Sequence, residues 1–484
     1  MTSDQQRLAG QFSQAPDART LALSTWSWIG YESMRIPYLV LIKIYIFAPY
    51  VTKVLIGDPI KGQALLAAYG MFAGLFAALT VPLLGASLDR IGPRRPLIAT
   101  FILLSVPLLA PLWWARPDHS GLTVHATIII LMILNILFAY SEILHIAMLG
   151  MAVGVRRAGK YSGISLGIAN LFTVSLLLFL LWGFALPGRV HAFGIPSQPL
   201  FGFTHAAHQM ERMTGPLVAV LACISLLFLR YTLDAPPSNI SHVTAVRSGL
   251  KDVFLLIRGL PSQKNLLKFL IARTLYGDGF HTLIIFGGVY ATGVMGWHAL
   301  ELLGYAVVKI AFAGLGGVMA GFVNARIGTR RAIILQLVLA VVLLALMLGI
   351  SPKRLFYFWE FDAAALAPLW TVPIFRTVPD LVFLGVSGLT SAFSVGSAAS
   401  GRAMVIEVVP PARVGSYFGL FMLSSSTTVW LAPAAISLLT TLFHSQTAGM
   451  LPIVFLLATG GFMLLFVEGG DPHDDEKPIR HMGV

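Results

Sequence analysis

Long apolar runs separated by short polar connections fill the chain, and twelve of them can cross a hydrocarbon layer of about 30 Å, which takes roughly 20 helical residues. They lie near 22–50, 63–85, 96–114, 124–150, 162–185, 215–233, 267–295, 301–325, 331–350, 380–406, 415–440 and 448–468. The pattern predicts an all-α polytopic membrane protein. The longest inner polar stretch, 234–266, opens with DAPPSNISH and divides six runs from six. The expected organisation is a tail (1–21), a six-helix bundle (22–233), a linker (234–266), a second six-helix bundle (267–468) and a closing tail (469–484). The first 20 residues are polar and carry both signs of charge, so no cleaved signal peptide is expected and the first helix should be retained.

Composition agrees. The 484 residues are 57% hydrophobic and 11% charged, with a mean hydropathy of +0.81, about half the charge a soluble chain of this size carries. The single cysteine, Cys223, excludes a disulfide framework within the chain and any cysteine-based metal cluster. The net charge of +12 does not point to nucleic acid, because the basic residues are scattered through alternate connections. Arg90, Arg94 and Arg95 follow run two; Arg156, Arg157 and Lys160 follow run four; Arg247, Lys251, Arg258 and Lys264 lie in the linker; Arg326, Arg330 and Arg331 follow run eight; Arg413 follows run ten. The opposite connections hold fewer, which places both termini in the cytoplasm of a cell (inner) membrane protein. The Asn239-Ile-Ser241 glycosylation pattern then falls on the wrong side. Two longer outer loops, 186–214 and 351–379, carry proline and aromatic residues such as Phe356 to Trp359, which read as interfacial anchors.

An internal repeat supports the six-plus-six division. GASLDRIGPRR, Gly85 to Arg95, follows run two, and GFVNARIGTRR, Gly321 to Arg331, follows run eight. The first copy resembles the signature loop of the major facilitator superfamily, with Gly85, Asp89, Arg90, Gly92, Arg94 and Arg95 in place. The second keeps Gly321, Arg326, Gly328, Arg330 and Arg331 but has Ala325 where Asp89 stands. The resemblance implies the major facilitator fold, twelve transmembrane helices in two pseudo-symmetric six-helix bundles, with the acidic residue helping to latch a cytoplasmic gate.

ARTLYGDGFHTLIIFGGVYATGVMGW and VVPPARVGSYFGLFMLSSSTTVWLAP resemble a narrower branch, the vacuole-effluxer-like transporters. Two departures concern its substrate rather than its fold. The first helix reads YESMRIP where the branch has a Y-D-W-A-N-S pattern, and Ser424 to Ser426 stand where relatives often show Ser-Gly-Lys. Small residues four apart (Gly70/Gly74, Gly163/Gly167, Gly317/Gly321, Gly415/Gly419) suit close helix approach in helices two, five, eight and eleven, which meet between the halves of that superfamily.

An ionisable side chain at the bilayer centre costs roughly 2.5–3.5 kcal/mol even on a lenient scale, so intramembrane charges mark protein-facing or watery sites. Helix one carries Tyr31, Glu32, Arg35 and Lys43; helix four carries Glu142 and His145; helix seven carries Arg273, Tyr276, Asp278 and His281; helix eight carries Lys309. YESMR and YGDGFH each place an acid three residues before a base, one turn of helix, and read as counterparts lining one central cavity. Taken as α-helix at about 100° per residue, helix one puts Lys43 roughly 20° from Glu32 and Arg35 about 60° to the other side.

Two readings of these charges stand. They neutralise one another and fix helix register, or they work. In the second, Glu32, Glu142, His145, Asp278 and His281 are proton-coupling candidates, since burial raises a carboxyl pKa and a nearby cation lowers it. Tyr31, Arg35, Lys43, Arg273, Tyr276 and Lys309 then hold a substrate carboxylate. No nucleotide-binding loop, H-E-x-x-H or metal-ligand cluster occurs, so neither an enzyme nor a cofactor is expected. The expectation is secondary active transport of a small anionic or zwitterionic, amino-acid-like solute, proton-coupled and outward, by a monomer; sodium is the alternative ion. A cation-coupled sugar or lipid-precursor permease is the alternative in the same class. A non-transporting receptor or assembly factor, which a cavity blocked by bulky side chains would indicate, is the alternative outside it.

Overall fold

The computed structural model describes residues 17–154, 157–190, 194–235, 258, 263–361, 368–408 and 428–468, without the side chains of 81–91, 158–160 and 405–407. Arg156, Arg247, Lys251, Arg413, Gly415, Gly419, Asn239 to Ser241 and Ser424 to Ser426 lie outside these residues, as do the side chains of Asp89, Arg90, Lys160 and Glu407.

The described helices are α1 (Ala18–Leu55), α2 (Pro59–Ile91), α3 (Arg95–Leu109), α4 (Val124–Ala147), α5 (Ala158–Leu180), α6 (Gln209–Tyr231), α7 (Lys264–Val294), α8 (Ala299–Ile327), α9 (Thr329–Leu348), α10 (Val378–Val408), α11 (Leu431–Phe443) and α12 (Gln446–Leu464). Ten of them are apolar and long enough to cross a membrane; α7 is as long but too polar to be counted by composition, and α11 is shorter. The protein is a multi-pass membrane protein. Side chains of Asp17, Asp58, Thr123 and Ser445 cap helix starts by accepting from backbone N–H groups that would otherwise lack a partner.

Helix packing repeats with a step of six. α1 packs on α5 and α6, α3 on α4 and α6, and α2 on α4; correspondingly α7 packs on α11 and α12, α9 on α10 and α12, and α8 on α10. The halves meet where α2 lies against α11 and α5 against α8. The small-residue expectation holds for α2, where a side-chain carbon added to Gly74 would lie 2.9 Å from the backbone of Trp430 and one at Gly70 3.7 Å from Pro433. Gly163, Gly167 and Gly321 have open space beside them, a side-chain carbon added to Gly317 would meet Val395 of α10 within its own half at 3.5 Å, Gly415 and Gly419 lie outside the described residues, and it is Gly316 that lies against the Ala392 backbone where α8 meets α10.

α1 departs from a straight α-helix. Residues Ala18–Pro37 are α-helical, Tyr38–Tyr45 wind as a π-helix, and short α and π turns carry the chain to Leu55. Pro37 and Pro49 lack the N–H that would continue the ladder, so the winding loosens around them. The stripe computed for Lys43 at α-helical pitch is therefore corrected, since eight residues run with i to i+5 bonds.

Each of the repeated turns begins on a glycine of positive φ. Gly92 and Gly328 both have positive φ (100° and 84°), which glycine adopts without a Cβ clash and which ends α2 and α8. The arginines that follow satisfy the carbonyl ends of neighbouring helices. Arg94 donates to Ala147 O (3.2 Å), Arg95 to Arg230 O (3.0 Å), and Arg330 to Leu464 O and Leu465 O (3.1 and 2.6 Å). Arg95 also pairs with Asp234, at 3.6 Å. These contacts stay within one half, and Arg326 and Arg331 are exposed.

At the other end, polar ties join the halves. Lys53 Nζ donates to Gly296 O (2.6 Å) and Trp297 O (3.2 Å) and meets His298 Nδ1 at 2.7 Å. Gln63 donates to Thr440 Oγ1 and Gln446 O (3.0 and 3.1 Å), and Gln446 donates to Pro59 O (3.0 Å). The loop before α10 carries a short hairpin, β1 (Arg354–Leu355) with β2 (Trp359–Glu360), whose turn leaves Phe358 79% exposed.

Candidate functional site

Between the halves lies a cavity of about 490 Å³, walled by α1, α2, α4, α7 and the start of α11. Its charged lining is Arg35, Lys43, Glu142 and Arg273, joined by His281, Asn135 and a large apolar surface. On α4, Asn135, Phe138 and Glu142 recur at helical spacing and share a face; on α7 the stripe is Arg273, Gly277, His281 and Ile285, each four residues on.

Arg35 is the hub of the N-terminal half. Only 6% exposed, it donates to both oxygens of Glu32 (Nη2 to Oε1 2.7 Å, Nε to Oε2 3.1 Å), the bidentate fork that suits guanidinium and carboxylate. Its Nη1 lies 3.1 Å from Glu142 Oε2, so one cation holds two acids. Glu32 is 12% exposed, whereas Glu142 is 47% exposed to the cavity. Behind Glu32, His145 Nε2 lies 3.5 Å from its Oε2, and the imidazole is packed between Trp28 (stacked, 4.5 Å) and Tyr31 (4.3 Å). Trp28 Nε1 donates to His145 O at 3.0 Å, anchoring the sandwich. Lys43 stands apart, its amine donating to Asn135 Oδ1 at 2.7 Å.

The C-terminal half is arranged otherwise. The Arg273 guanidinium lies over the Tyr276 ring, 5.2 Å from its centroid, and rests against Gly277. His281 is exposed to the cavity. Asp278 is 4% exposed; among the described residues no side chain bonds to its oxygens, and the group that approaches it is the Ala432 backbone at the start of α11, away from the cavity wall. Among the described residues no ion pair joins Asp278 to His281 or Arg273, so the neutralisation reading fails for Asp278: His281 is turned to the cavity and Asp278 to the start of α11 at Ala432, although the same three-residue step brings Glu32 and Arg35 together.

Lys309 is a second correction. It lies outside the central cavity, 6% exposed, with its amine 3.4 Å from Tyr305 Oη and 5.1 Å from that ring. It lines a separate small cavity inside the C-terminal half. Tyr31, Glu32, His145 and Tyr276 are likewise not on the cavity wall; the first three sit directly behind Arg35, and Tyr276 sits under Arg273. The structure thus brings Arg35, Lys43, Glu142, Arg273 and His281 to one surface and keeps the other candidates behind it.

Sequence reasoning missed Asn135, which holds Lys43, and the Tyr38–Phe138 stack (3.7 Å, 6°) in the cavity wall. Their signal was weak, since a lone asparagine or aromatic in an apolar run carries no charge to draw notice. A second cavity, of about 450 Å³, sits at the end of the bundle where Lys53 meets His298 and is lined by Lys53, Arg189, His205, His208, Glu211 and His298 with aromatic neighbours.

The sequence model of a family described as vacuole effluxer Atg22-like matches residues 162–471. The chain belongs to that family. No curated protein matches the sequence. Solved structures of similar fold include the nucleoside transporter NupG (TM-score 0.58, 12% identity, covering 93% of this chain and 98% of that one). The inward-open xylose transporter XylE from E. coli gives 0.57 at 11%, covering 93% and 95%. A peptide transporter POT in complex with alafosfalin gives 0.59 at 12%, covering 96% and 97%. The fold is that of the major facilitator superfamily, and this effluxer-like protein is a membrane transporter of that type.

Proposed function

We propose that this transporter carries out proton-coupled export of a small anionic or zwitterionic, amino-acid-like solute by alternating access of its two halves about the central cavity. The observation that carries the reading is the charge of the cavity wall. Arg35 is already held by Glu32 and Glu142, whereas Lys43 faces the cavity with the neutral Asn135 as its hydrogen-bond partner among the described residues, so its positive charge is open to a solute. A solute carboxylate compensates it, and the room of about 490 Å³ suits a metabolite-sized molecule. Lys43 and Arg273 bind the carboxylate, Glu142 takes an amine, and Asp278 and His281 exchange the coupling proton, because a buried carboxyl with no ionic partner among the described residues changes charge at little structural cost.

The polar ties of Lys53, Gln63 and Gln446 support an arrangement closed at the end assigned to the outside, in a cytoplasmic membrane with both termini inside. A second reading, a cation-coupled permease for sugars or related neutral solutes, rests on the Tyr38–Phe138 wall, a surface on which a ring can stack, and on the nucleoside and xylose carried by two of the structural neighbours. The open cavity argues against a receptor that has lost transport. Flux of radiolabelled amino acids, sugars and nucleosides in proteoliposomes, with and without a pH gradient, tests the proposal. Gradient-driven amino-acid flux is expected; sugar or nucleoside flux with no amino-acid flux would overturn it.

A further inference from the structure

The small cavity around Lys309 lies wholly inside the C-terminal half, between α7, α8, α9 and α10. Its floor is Leu283 and Ile284 with Met347, and its polar lining is Lys309, Tyr305, Ser387, Thr390, Ser391 and Ser394. The four hydroxyl residues of α10 stand at positions i, i+3, i+4 and i+7, which places them on one helix face toward the amine.

Hydrogen-bond accounting separates them. Ser387 Oγ donates to Leu384 O (3.0 Å) and Thr390 Oγ1 to Val386 O (2.8 Å), so their protons are committed to their own helix. Ser391 and Ser394 are 8% and 6% exposed, and among the described residues their hydroxyls make no hydrogen bond. Lys309 has three donors, of which Tyr305 Oη accepts one, at 3.4 Å, and no carboxylate comes within ion-pair distance among the described residues. An ammonium held in dry protein without a counter-charge is costly, and the hydroxyl protons beside it add to the same positive field.

We propose that this pocket is a binding site for a single small inorganic anion of halide size, held by Lys309 with Ser391 and Ser394 and separate from the transported solute. Size decides the class. A space of about 10 Å³ is close to the minimum for one water-sized occupant, so it excludes carboxylates of metabolite size and oxyanions such as sulfate. The site joins helices of one half, so its occupant neutralises Lys309 and ties α8 to α10 whichever way the central cavity faces.

The test is equilibrium binding of ³⁶Cl⁻ to the purified full-length protein in detergent, at constant ionic strength made up with gluconate. Saturable binding of one chloride per chain, displaced by bromide and not by sulfate, is expected. Lys309→Met should abolish it, and the Ser391→Ala/Ser394→Ala pair, which removes only two hydroxyls, should weaken it by about tenfold or more through loss of two charge-assisted hydrogen bonds. The serine pair also decides the matter if the lysine variant does not fold. No saturable binding to the wild-type chain, or binding unchanged in the serine pair, would overturn the proposal. The assay involves no flux, so its outcome is independent of the solute and of the coupling ion.

Discussion

The two halves share a packing scheme but not an electrostatic one. Around Arg35, α4 contributes Glu142 and His145, and the guanidinium is tied to two acids. Around Arg273, α10 presents Gly401, which lies beside the Arg273 side chain and Tyr276 as Glu142 lies beside Arg35. ALA-TYR-SER-GLU at 139–142 and ALA-ALA-SER-GLY at 398–401 occupy the matching places, so the repeat has kept the serine and exchanged the acid for a residue without a side chain. The lesson is one of division of labour. The N-terminal cluster is closed on itself and fixes geometry, while the C-terminal half leaves a carboxyl (Asp278), an imidazole (His281) and an amine (Lys309) with no ionic partner among the described residues.

The sharpest way to break this contrast is to remove the hub. Arg35→Met strands two carboxylates, one of them 12% exposed, and should destabilise the fold by about 3–5 kcal/mol, the usual cost of breaking a buried pair. Thermal unfolding of the purified protein reads this, and adding Glu32→Gln should recover part of the loss. Asp278→Asn is expected to behave oppositely. It removes the charge of a buried carboxyl that has no ionic partner among the described residues, so the melting temperature should hold or rise while pH-gradient-driven flux falls more than tenfold. A variant that melts early would show instead that Asp278 is tied into the structure. Glu142→Gln is milder, since the acid is half exposed to water and its pair is worth no more than about 1 kcal/mol. Its expected effect is on binding: several-fold tighter affinity for an anionic solute, read by scintillation proximity.

The smallest effect belongs to the Lys53–His298 tie. Burial, with Lys53 beside it, holds the His298 imidazole below its ordinary value. Glu301 and Arg189 also face it, the acid opposing and the base adding to that depression. A base with a depressed pKa stabilises the folded arrangement above its ordinary value and loses that contribution as pH falls through the lowered one. His298 Nδ1 accepts from Lys53 only while unprotonated. Acidification below about pH 6.5 should therefore loosen the Lys53–His298 contact, raising maleimide labelling of a cysteine placed near Gly296 about twofold in a Cys223→Ser background; His298→Gln should flatten the dependence.

Much of the fold could be read from the chain, because lipid imposes a length on every span and the two R-I-G turns mark equivalent points. The cavity was legible in part. Charge pointed to Arg35, Lys43, Glu142, Arg273 and His281, since burying an ion demands a reason. It misplaced Asp278 and Lys309, because a residue's face depends on helix rotation and on neighbours that one sequence does not reveal. It also overlooked Asn135, Gln63 and Gln446, whose neutral amides join helices far apart in the chain. The π-helical run defeated the angular estimate for Lys43, since nothing but Pro37 announced a change of pitch.

That loosely wound stretch gives the first span a reserve of rotation that a straight helix lacks. Were Tyr38–Tyr45 rewound to 3.6 residues per turn, the segment beyond Ile46 would swivel about its own axis and carry Lys53 with it, while the Glu32–Arg35 fork one turn below Pro37 stayed where it is. A single helix can thus act as a swivel joint, one end clamped and the other free to let go.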